Sequence, residues 1–251
     1  MIDQAAYTLI TGASSGIGRA AAIRLSRERR LIIHGRKLDQ LEITRQMCDN
    51  AEQHVIWAHD FKDVGGLADS LTPFLFESGR KVASFVHCAG MVTILPMRSI
   101  DHRVAQVIMN VNFFSAVEII NILLKKKINS GSLKNVLFVS SIWSKYGSRA
   151  HSVYCASKAA LDGLMRSLAI ELAPAVRVNS ILPGAIQTSM AERGFADMAI
   201  IQKLQQDYPL GLGQPVDIAN VIEFILSDRA RWLTGQQIVI DGGRTVNMSL
   251  K

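Results

Sequence analysis

The feature that most constrains this chain lies near its start. The apolar run Tyr7–Thr11 leads straight into Gly12-Ala13-Ser14-Ser15-Gly16-Ile17-Gly18, and an Ala-rich helical pattern follows. Glycines let the chain turn sharply where a strand hands over to a helix, and they admit backbone that must come close to another group. The rest of the chain keeps this rhythm. Tyr7–Thr11, Leu31–His34, His54–Ala58, Val82–His87, Asn135–Ser140, Val176–Leu182 and Gln237–Ile240 read as strands, and stretches near 16–28, 38–50, 63–77, 101–127, 152–172 and 215–227 read as helices. Several of the strand runs are apolar without alternation, as parallel strands covered on both faces are. Such alternation predicts an α/β fold, a doubly wound seven-stranded parallel sheet with helices on both faces. No repeat, linker or low-complexity tract divides residues 1–251, so a single domain is expected. The rhythm breaks at Ala185–Gln214, a 30-residue connection read as a lid over a site. Its Met190, Phe195, Met198, Ile200 and Ile201 either line an apolar pocket or simply pack.

Composition narrows the function. Apolar residues at 49% and charged residues at 20% exclude a disordered chain. Cys48, Cys88 and Cys155 form no closely spaced set. No disulfide scaffold and no metal site are expected, and a reducing, cytoplasmic setting is. The N-terminal residues carry no basic, apolar signal pattern, and no run of about 18 apolar residues suggests a membrane span. The net charge is +7. Between Glu118 and Asp162 there is no acid, while Lys125, Lys126, Lys127, Lys134, Lys145, Arg149 and Lys158 fall in that window. No interleaved basic and aromatic motif accompanies them, so nucleic acid is not an expected partner. An anionic cofactor or substrate is one reading of the window, and a solvated basic face is the other. Lys125–Lys127 end a predicted helix, where cations complement the macrodipole. Lys145 and Arg149 lie between two candidate catalytic residues and could attract an anionic substrate.

The first turn can hold a phosphate, because N–H groups at the start of a helix face an anion. Its spacing, Gly-x-x-x-Gly-x-Gly, resembles the cofactor turn of the short-chain dehydrogenase/reductase family. That resemblance implies a Rossmann-type NAD(P)-binding domain with Gly12, Ser14, Ser15, Gly16, Ile17 and Gly18 on the cofactor. The end of the second strand selects between cofactors: an acid binds the ribose of NAD, and a cation accommodates the 2′-phosphate of NADP. Here His34-Gly35-Arg36-Lys37 has no acid. Arg36 and Lys37 predict a preference for NADP(H), with NAD(H) possible; an exposed basic loop is the bland alternative. Asp60 and Phe61 follow the third strand where the family contacts adenine.

Tyr154-Cys155-Ala156-Ser157-Lys158 places a tyrosine and a lysine four residues apart, on one face of a helix. A free phenol, with a pKa near 10, is a poor acid–base group. An ammonium about 5 Å away favours the phenolate by roughly 3 kcal/mol at an effective dielectric of 20, or about two pKa units. Ser141 ends a strand run 13 residues before Tyr154, so both can converge on one carbonyl oxygen at the carboxyl edge of the sheet. The matches extend over essentially the whole chain: His87-Cys88-Ala89-Gly90, where the family often has Asn-Asn-Ala-Gly; Asn112; Asn179; Pro183-Gly184-Ala185-Ile186-Gln187-Thr188; and Asp241-Gly242-Gly243. The resemblance implies Asn112, Ser141, Tyr154 and Lys158 as the catalytic set. Hydride passes to a carbonyl carbon, Tyr154 protonates its oxygen, Ser141 polarises it, Lys158 lowers the phenol pKa and holds the ribose, and Asn112 anchors a proton-relaying water. Ala89, Gly90, Pro183, Gly184, Ile186 and Thr188, with Tyr154 and Lys158, are implied to touch the cofactor.

The branch most resembled reduces 3-oxoacyl groups on acyl carrier protein, an acidic partner that suits the basic window. Against it, no cation follows the catalytic helix before Arg177. An acyl-CoA thioester belongs to the same reading; a reductase or dehydrogenase of another small ketone, sugar or steroid is the alternative, and a cofactor-sensing protein without turnover is the alternative of a different class. Ala159, Ala160, Leu161, Leu164, Met165, Leu168, Ala169 and Leu172 cover more of their helix than one sheet face can bury, and a preceding helix carries Val117, Ile119, Ile120, Ile122, Leu123 and Leu124. A homotetramer or homodimer paired through these helices is expected.

Overall fold

The computed structural model describes residues 6–188 and 206–247. The lid residues Met190, Phe195, Met198, Ile200 and Ile201 lie outside that range. The strands are β1 (Tyr7–Thr11), β2 (Arg30–Gly35), β3 (Val55–Ala58), β4 (Val82–His87), β5 (Asn135–Val139), β6 (Arg177–Pro183) and β7 (Gln237–Ile240). The main helices are α1 (Gly16–Leu25), α2 (Leu38–Gln46), α3 (Leu67–Phe76), α4 (His102–Met109), α5 (Ser115–Leu124), α6 (Lys126–Asn129), α7 (Ser152–Glu171) and α8 (Pro215–Leu226). The seven strands form one sheet in the order β3-β2-β1-β4-β5-β6-β7, and every pairing is parallel. The expected fold class is the observed one.

Register explains the two cores. Leu9 pairs with Ile32 and with Phe85, and Phe85 pairs with Val136. This row fills one face of the sheet, under α3, α5 and α7, with Leu67, Leu71, Ile119, Leu161 and Met165. One residue on, Ile10 pairs with Ile33 and Val86, and Val86 with Leu137. That row fills the opposite face, under α1, α2 and α8, with Ala21, Ala22, Leu25, Ile218 and Ile222. Strand side chains alternate between faces, so a strand buried on both sides must be apolar throughout.

The predicted helix 101–127 is built differently. It runs as α4, then a π-helical segment Asn110–Phe114, then α5. Lys125 takes extended backbone, and Lys126 and Lys127 begin the short α6 instead of closing α5. The three lysines therefore stand at helix ends, but of two helices: Lys125 at the end of α5, and Lys126 and Lys127 in the single turn of α6. His102–Leu124 is also long and apolar enough to cross a membrane by length and composition, which the sequence reading missed. Here its apolar residues Ile108, Ala116, Ile119, Ile120 and Leu123 are buried in the domain.

The strand order reverses between β1 and β4. Sheets of this kind bind ligands at the carboxyl ends of the strands, at the point of reversal. Thr11, His87, Val139 and Pro183 end β1, β4, β5 and β6 along that one edge.

Candidate active site

Gly12 leaves β1 with a φ of 66°, a backbone state that side chains other than glycine's rarely take. A Cβ there would lie 2.8 Å from the Cα and N of Ala89. A Cβ on Gly18 would lie 2.3 Å from the Gly12 carbonyl oxygen. The two glycines thus let the β1 turn fold onto the segment after β4. Ser15, the residue before α1, is extended, makes no side-chain capping bond, and no acid stands in the first turn. The first N–H groups of α1 are therefore left for an anion. Pro183–Thr188 crosses above: a Cβ on Gly16 would lie 3.1 Å from Thr188 Cγ2. A cavity of about 390 Å³ lies along α1 beside the crossing segment, lined by Ser15, Gly16, Arg19, Ala20, Ile23, Gln187, Thr188 and Pro215. A cradle of uncapped helix N–H groups, glycine backbone and no carboxylate fits a dinucleotide pyrophosphate.

Arg36 and Lys37 stand exposed just past β2. Ser14 reaches the same place, its Cβ 3.4 Å from where a Cβ on Gly35 would sit. Sequence reasoning passed over Arg19. Its guanidinium donates to the Ser14 carbonyl, to Thr44 Oγ1 at 2.9 Å and to Gln40 Oε1 at 3.3 Å. It adds a cation where the turn meets α2, and the signal was there to read: an arginine directly after the last glycine. Asp60 is half-buried, and its Oδ1 accepts from the Lys62 N–H at 3.1 Å. The Phe61 ring is buried and stacks on His34 with centroids 4.1 Å apart. That side chain is spent on the core, which leaves its backbone for an adenine. Gly184 and Ile186 are held by the far edge, through Gly184 N–H to the Ile240 carbonyl and a bridge from Ile186 to Gly213.

At the other end of the crevice, Ser141 follows β5 and its Oγ accepts from the Trp143 N–H at 3.2 Å. That leaves its own proton to donate outward. Tyr154 and Lys158 are one turn apart on α7, with the Lys158 ammonium 5.8 Å from the Tyr154 ring centre. The ammonium donates to the Val139 carbonyl at 2.9 Å. Loss of solvent pushes the Tyr154 phenol up to about 12, with the Ser141 hydroxyl pulling the other way. Burial pushes Lys158 down to about 8. The lowering of the phenol expected from Lys158 does not prevail in the free chain, where burial is the largest cause of the shift and the phenol moves upward. Asn112 is buried in the π-helical segment, its amide donating to the Met91 carbonyl at 3.0 Å and to Ser157 Oγ at 2.9 Å. A Cβ on Gly90 would lie 3.3 Å from Lys158 Nζ. All four expected catalytic residues are on the edge where the strand order reverses.

Two aromatic groups that sequence reasoning did not single out flank this set. The Trp143 ring stands 4.3 Å from His151 and 6.0 Å, edge-on, from Tyr154. His151 Nδ1 faces the Arg149 carbonyl at 2.5 Å, so it carries the proton. Nε2 has no hydrogen-bond partner among the described residues.

A family model described as enoyl-(acyl carrier protein) reductase matches residues 12–245. The chain belongs to the short-chain dehydrogenase/reductase family. It is 29% identical over 242 residues to D-erythrulose reductase of Gallus gallus, covering 95% of both chains. It is 32% identical over 251 residues to L-rhamnose 1-dehydrogenase (NAD(P)(+)) of Sphingomonas sp. (strain SKA58), covering 96% of each. L-xylulose reductases and a (3R)-3-hydroxyacyl-CoA dehydrogenase of Canis lupus familiaris, 27% identical over 257 residues and covering 96% of each chain, are also similar. Among solved structures, 4-hydroxyisoleucine dehydrogenase complexed with NADH superposes with a TM-score of 0.88 at 26% identity, covering 96% of this chain and 99% of that one. A candidate gluconate 5-dehydrogenase from Beutenbergia cavernae with bound NADP gives 0.89 at 27% identity, covering 96% and 97%. This short-chain dehydrogenase/reductase is an NAD(P)-dependent oxidoreductase acting on CH–OH or C=O groups.

The separation between cradle and catalytic edge makes Tyr154→Phe a clean test. Only a hydroxyl remote from the pyrophosphate turn is removed. Turnover should fall about 100-fold or more, the usual worth of a general acid. NADPH affinity, read by fluorescence titration, should stay within about threefold, since no more than one neutral hydrogen bond is lost.

Proposed function

We propose that this enzyme reduces the ketone of a small polyhydroxylated substrate, a ketose or related sugar, with NADPH, and oxidises the alcohol in reverse. The group formed by Trp143, His151 and Tyr154 carries this reading. An indole offers an apolar face to C–H bonds, and His151 Nε2 accepts from a hydroxyl; a polyol carries both beside its carbonyl. The names of the erythrulose, xylulose and rhamnose enzymes support the same substrate class.

When bound, the nicotinamide supplies hydride to the carbonyl carbon. Tyr154 gives its hydroxyl proton to the carbonyl oxygen, and a phenol raised to about 12 is held protonated until that oxygen develops charge. Ser141 donates a second hydrogen bond to the same oxygen. Lys158, with its ammonium fixed on Val139, sits where a ribose and the phenol can share its remaining protons. Gly12, Ser14, Ser15, Gly16, Ile17 and Gly18 would hold the pyrophosphate of NADPH, and Pro183, Gly184, Ile186 and Thr188 its nicotinamide. Arg36, Lys37 and Arg19 would supply the cations for its 2′-phosphate.

A second reading is favoured by the exposed cations Lys145 and Arg149 beside Trp143 and His151, and by the hydroxyacyl-CoA relative: a 3-oxoacyl thioester on a phosphate-bearing arm, on coenzyme A or on acyl carrier protein. The cytoplasm is the proposed location, in keeping with three free thiols at Cys48, Cys88 and Cys155. We also propose a homodimer or homotetramer. Leu161, Met165, Leu168 and Ala169 of α7 are buried in the domain, while Ala159 and Ile170 face outward.

Three measurements check these proposals. NADPH consumption should show kcat/KM for erythrulose or xylulose above that for acetoacetyl-CoA by about tenfold or more, the worth of roughly 1.4 kcal/mol from matched hydroxyl contacts. A larger value for acetoacetyl-CoA, with a salt-dependent loss in Lys145→Ala/Arg149→Ala, would establish the thioester reading instead. Arg36→Asp should shift the NADPH-to-NADH efficiency ratio toward NADH by about tenfold or more, because a carboxylate repels the 2′-phosphate; equal efficiencies in the unmutated enzyme would overturn the preference. Light scattering at micromolar concentration should give a multiple of the 27.6 kDa chain mass.

A further inference from the structure

His87 departs from the asparagine that the family often carries at the end of the fourth strand, and the structure puts that difference to use. The imidazole is fully buried. Its Nε2 lies 3.3 Å from the Asn112 carbonyl oxygen, and its Nδ1 lies 3.0 Å from Thr11 Oγ1. A carbonyl only accepts, so Nε2 carries the proton and Nδ1 accepts from the Thr11 hydroxyl. The same hydroxyl oxygen accepts from the Ala89 N–H at 3.2 Å. One neutral tautomer satisfies every bond. Burial, with the Lys158 charge adding to it, takes His87 down to about 3, so the ring stays neutral.

The chain of bonds continues in both directions. Thr11 immediately precedes Gly12, the first glycine of the phosphate turn, and Ala89 is the residue against which Gly12 packs. On the other side, the Asn112 amide donates to Ser157 Oγ at 2.9 Å, and Ser157 Oγ donates to the Tyr154 carbonyl at 2.7 Å. Ser157 adjoins Lys158. A path of hydrogen bonds, passing through Asn112 from its main-chain carbonyl to its side-chain amide, thus runs from the cofactor turn to the turn of α7 that bears Tyr154 and Lys158. His87 is its midpoint. An asparagine carboxamide is shorter by one ring atom and cannot reach both Thr11 and the Asn112 carbonyl. We propose that His87 is a positioning residue that ties the cofactor turn to the catalytic turn of α7, acting through Thr11 on one side and Asn112 on the other. The proposal rests on the roles given above to those two turns.

Two substitutions divide the junction. His87→Asn keeps an acceptor at the place of Nδ1 and loses the donor to Asn112. His87→Gln keeps a donor near the place of Nε2 and loses the acceptor for Thr11. His87→Asn should lower kcat by about three- to tenfold and leave the NADPH dissociation constant within about twofold, the scale set by one net hydrogen bond. His87→Gln should do the opposite, weakening NADPH by about three- to tenfold with kcat nearly kept. Thr11→Val should reproduce the His87→Gln pattern and Ser157→Ala the His87→Asn pattern; these decide the matter if a His87 variant fails to fold, as judged by its thermal melt. Parallel losses of kcat and affinity in both His87 variants, or no loss in either, would show that the ring is only a spacer and would overturn the junction. An unmutated enzyme that does not bind NADPH, or a Tyr154→Phe variant with full turnover, would instead overturn the roles of the turns, and the junction with them.

Discussion

Everything in this enzyme is arranged around one place where two backbones touch. β1 ends at Thr11, and Gly12 then lies so close to Ala89 that no side chain fits between them. That contact holds the first turn across the reversal point of the sheet. It brings the start of α1, with its unused N–H groups, over the same edge as the ends of β5 and β6. The two apolar cores on either face serve to keep these strand ends level, since a slip of one residue would send each row of side chains to the opposite face.

A second theme is dryness. Loss of solvent takes the Tyr154 phenol to about 12, the Cys88 thiol to about 12, the Lys158 ammonium to about 8 and the His87 imidazole to about 3. Each moves toward its neutral form, as desolvation requires. Lys158, at about 8, still carries its charge near neutrality, and in these partly desolvated surroundings its bond to Val139 and a hydroxyl proton on Tyr154 count for more than they do in water. Other cations are kept at the margins of the crevice, at Arg36, Lys37, Lys145 and Arg149, all exposed to solvent.

What the sequence disclosed and what it hid divide along the line between local and tertiary causes. The strand runs, the Gly12–Gly18 turn and the Tyr154/Lys158 spacing are local patterns, and the strand and helix positions they announce are close to those observed. The π-helical segment at Asn110–Phe114 and the extended backbone at Lys125 left no such pattern, because they depend on what packs above and below. The direction of the Tyr154 shift was misjudged for a similar reason: a charge four residues away is visible in a sequence, whereas the loss of water around a phenol is not. Arg19 was legible from its place directly after Gly18, though only the fold puts it beside Thr44; His151 left no such signal, and only the fold sets it against Trp143.

The stitching on either side of residues 189–205 bears on how long that stretch can be. Upstream, the Gln187 N–H donates to the Gly213 carbonyl at 2.9 Å; downstream, the Tyr208 hydroxyl accepts from the Ala185 N–H at 3.0 Å. The two margins are thus fastened to each other by bonds between described residues on either side of that stretch. The entropy of closing a loop grows only logarithmically, by about 0.6 kcal/mol for each doubling of its length. Because these bonds tie Gln187 to Gly213 and Ala185 to Tyr208, a change in the number of residues between the two margins would cost little in closure and would leave the end of β6 and the start of α8 tied to each other.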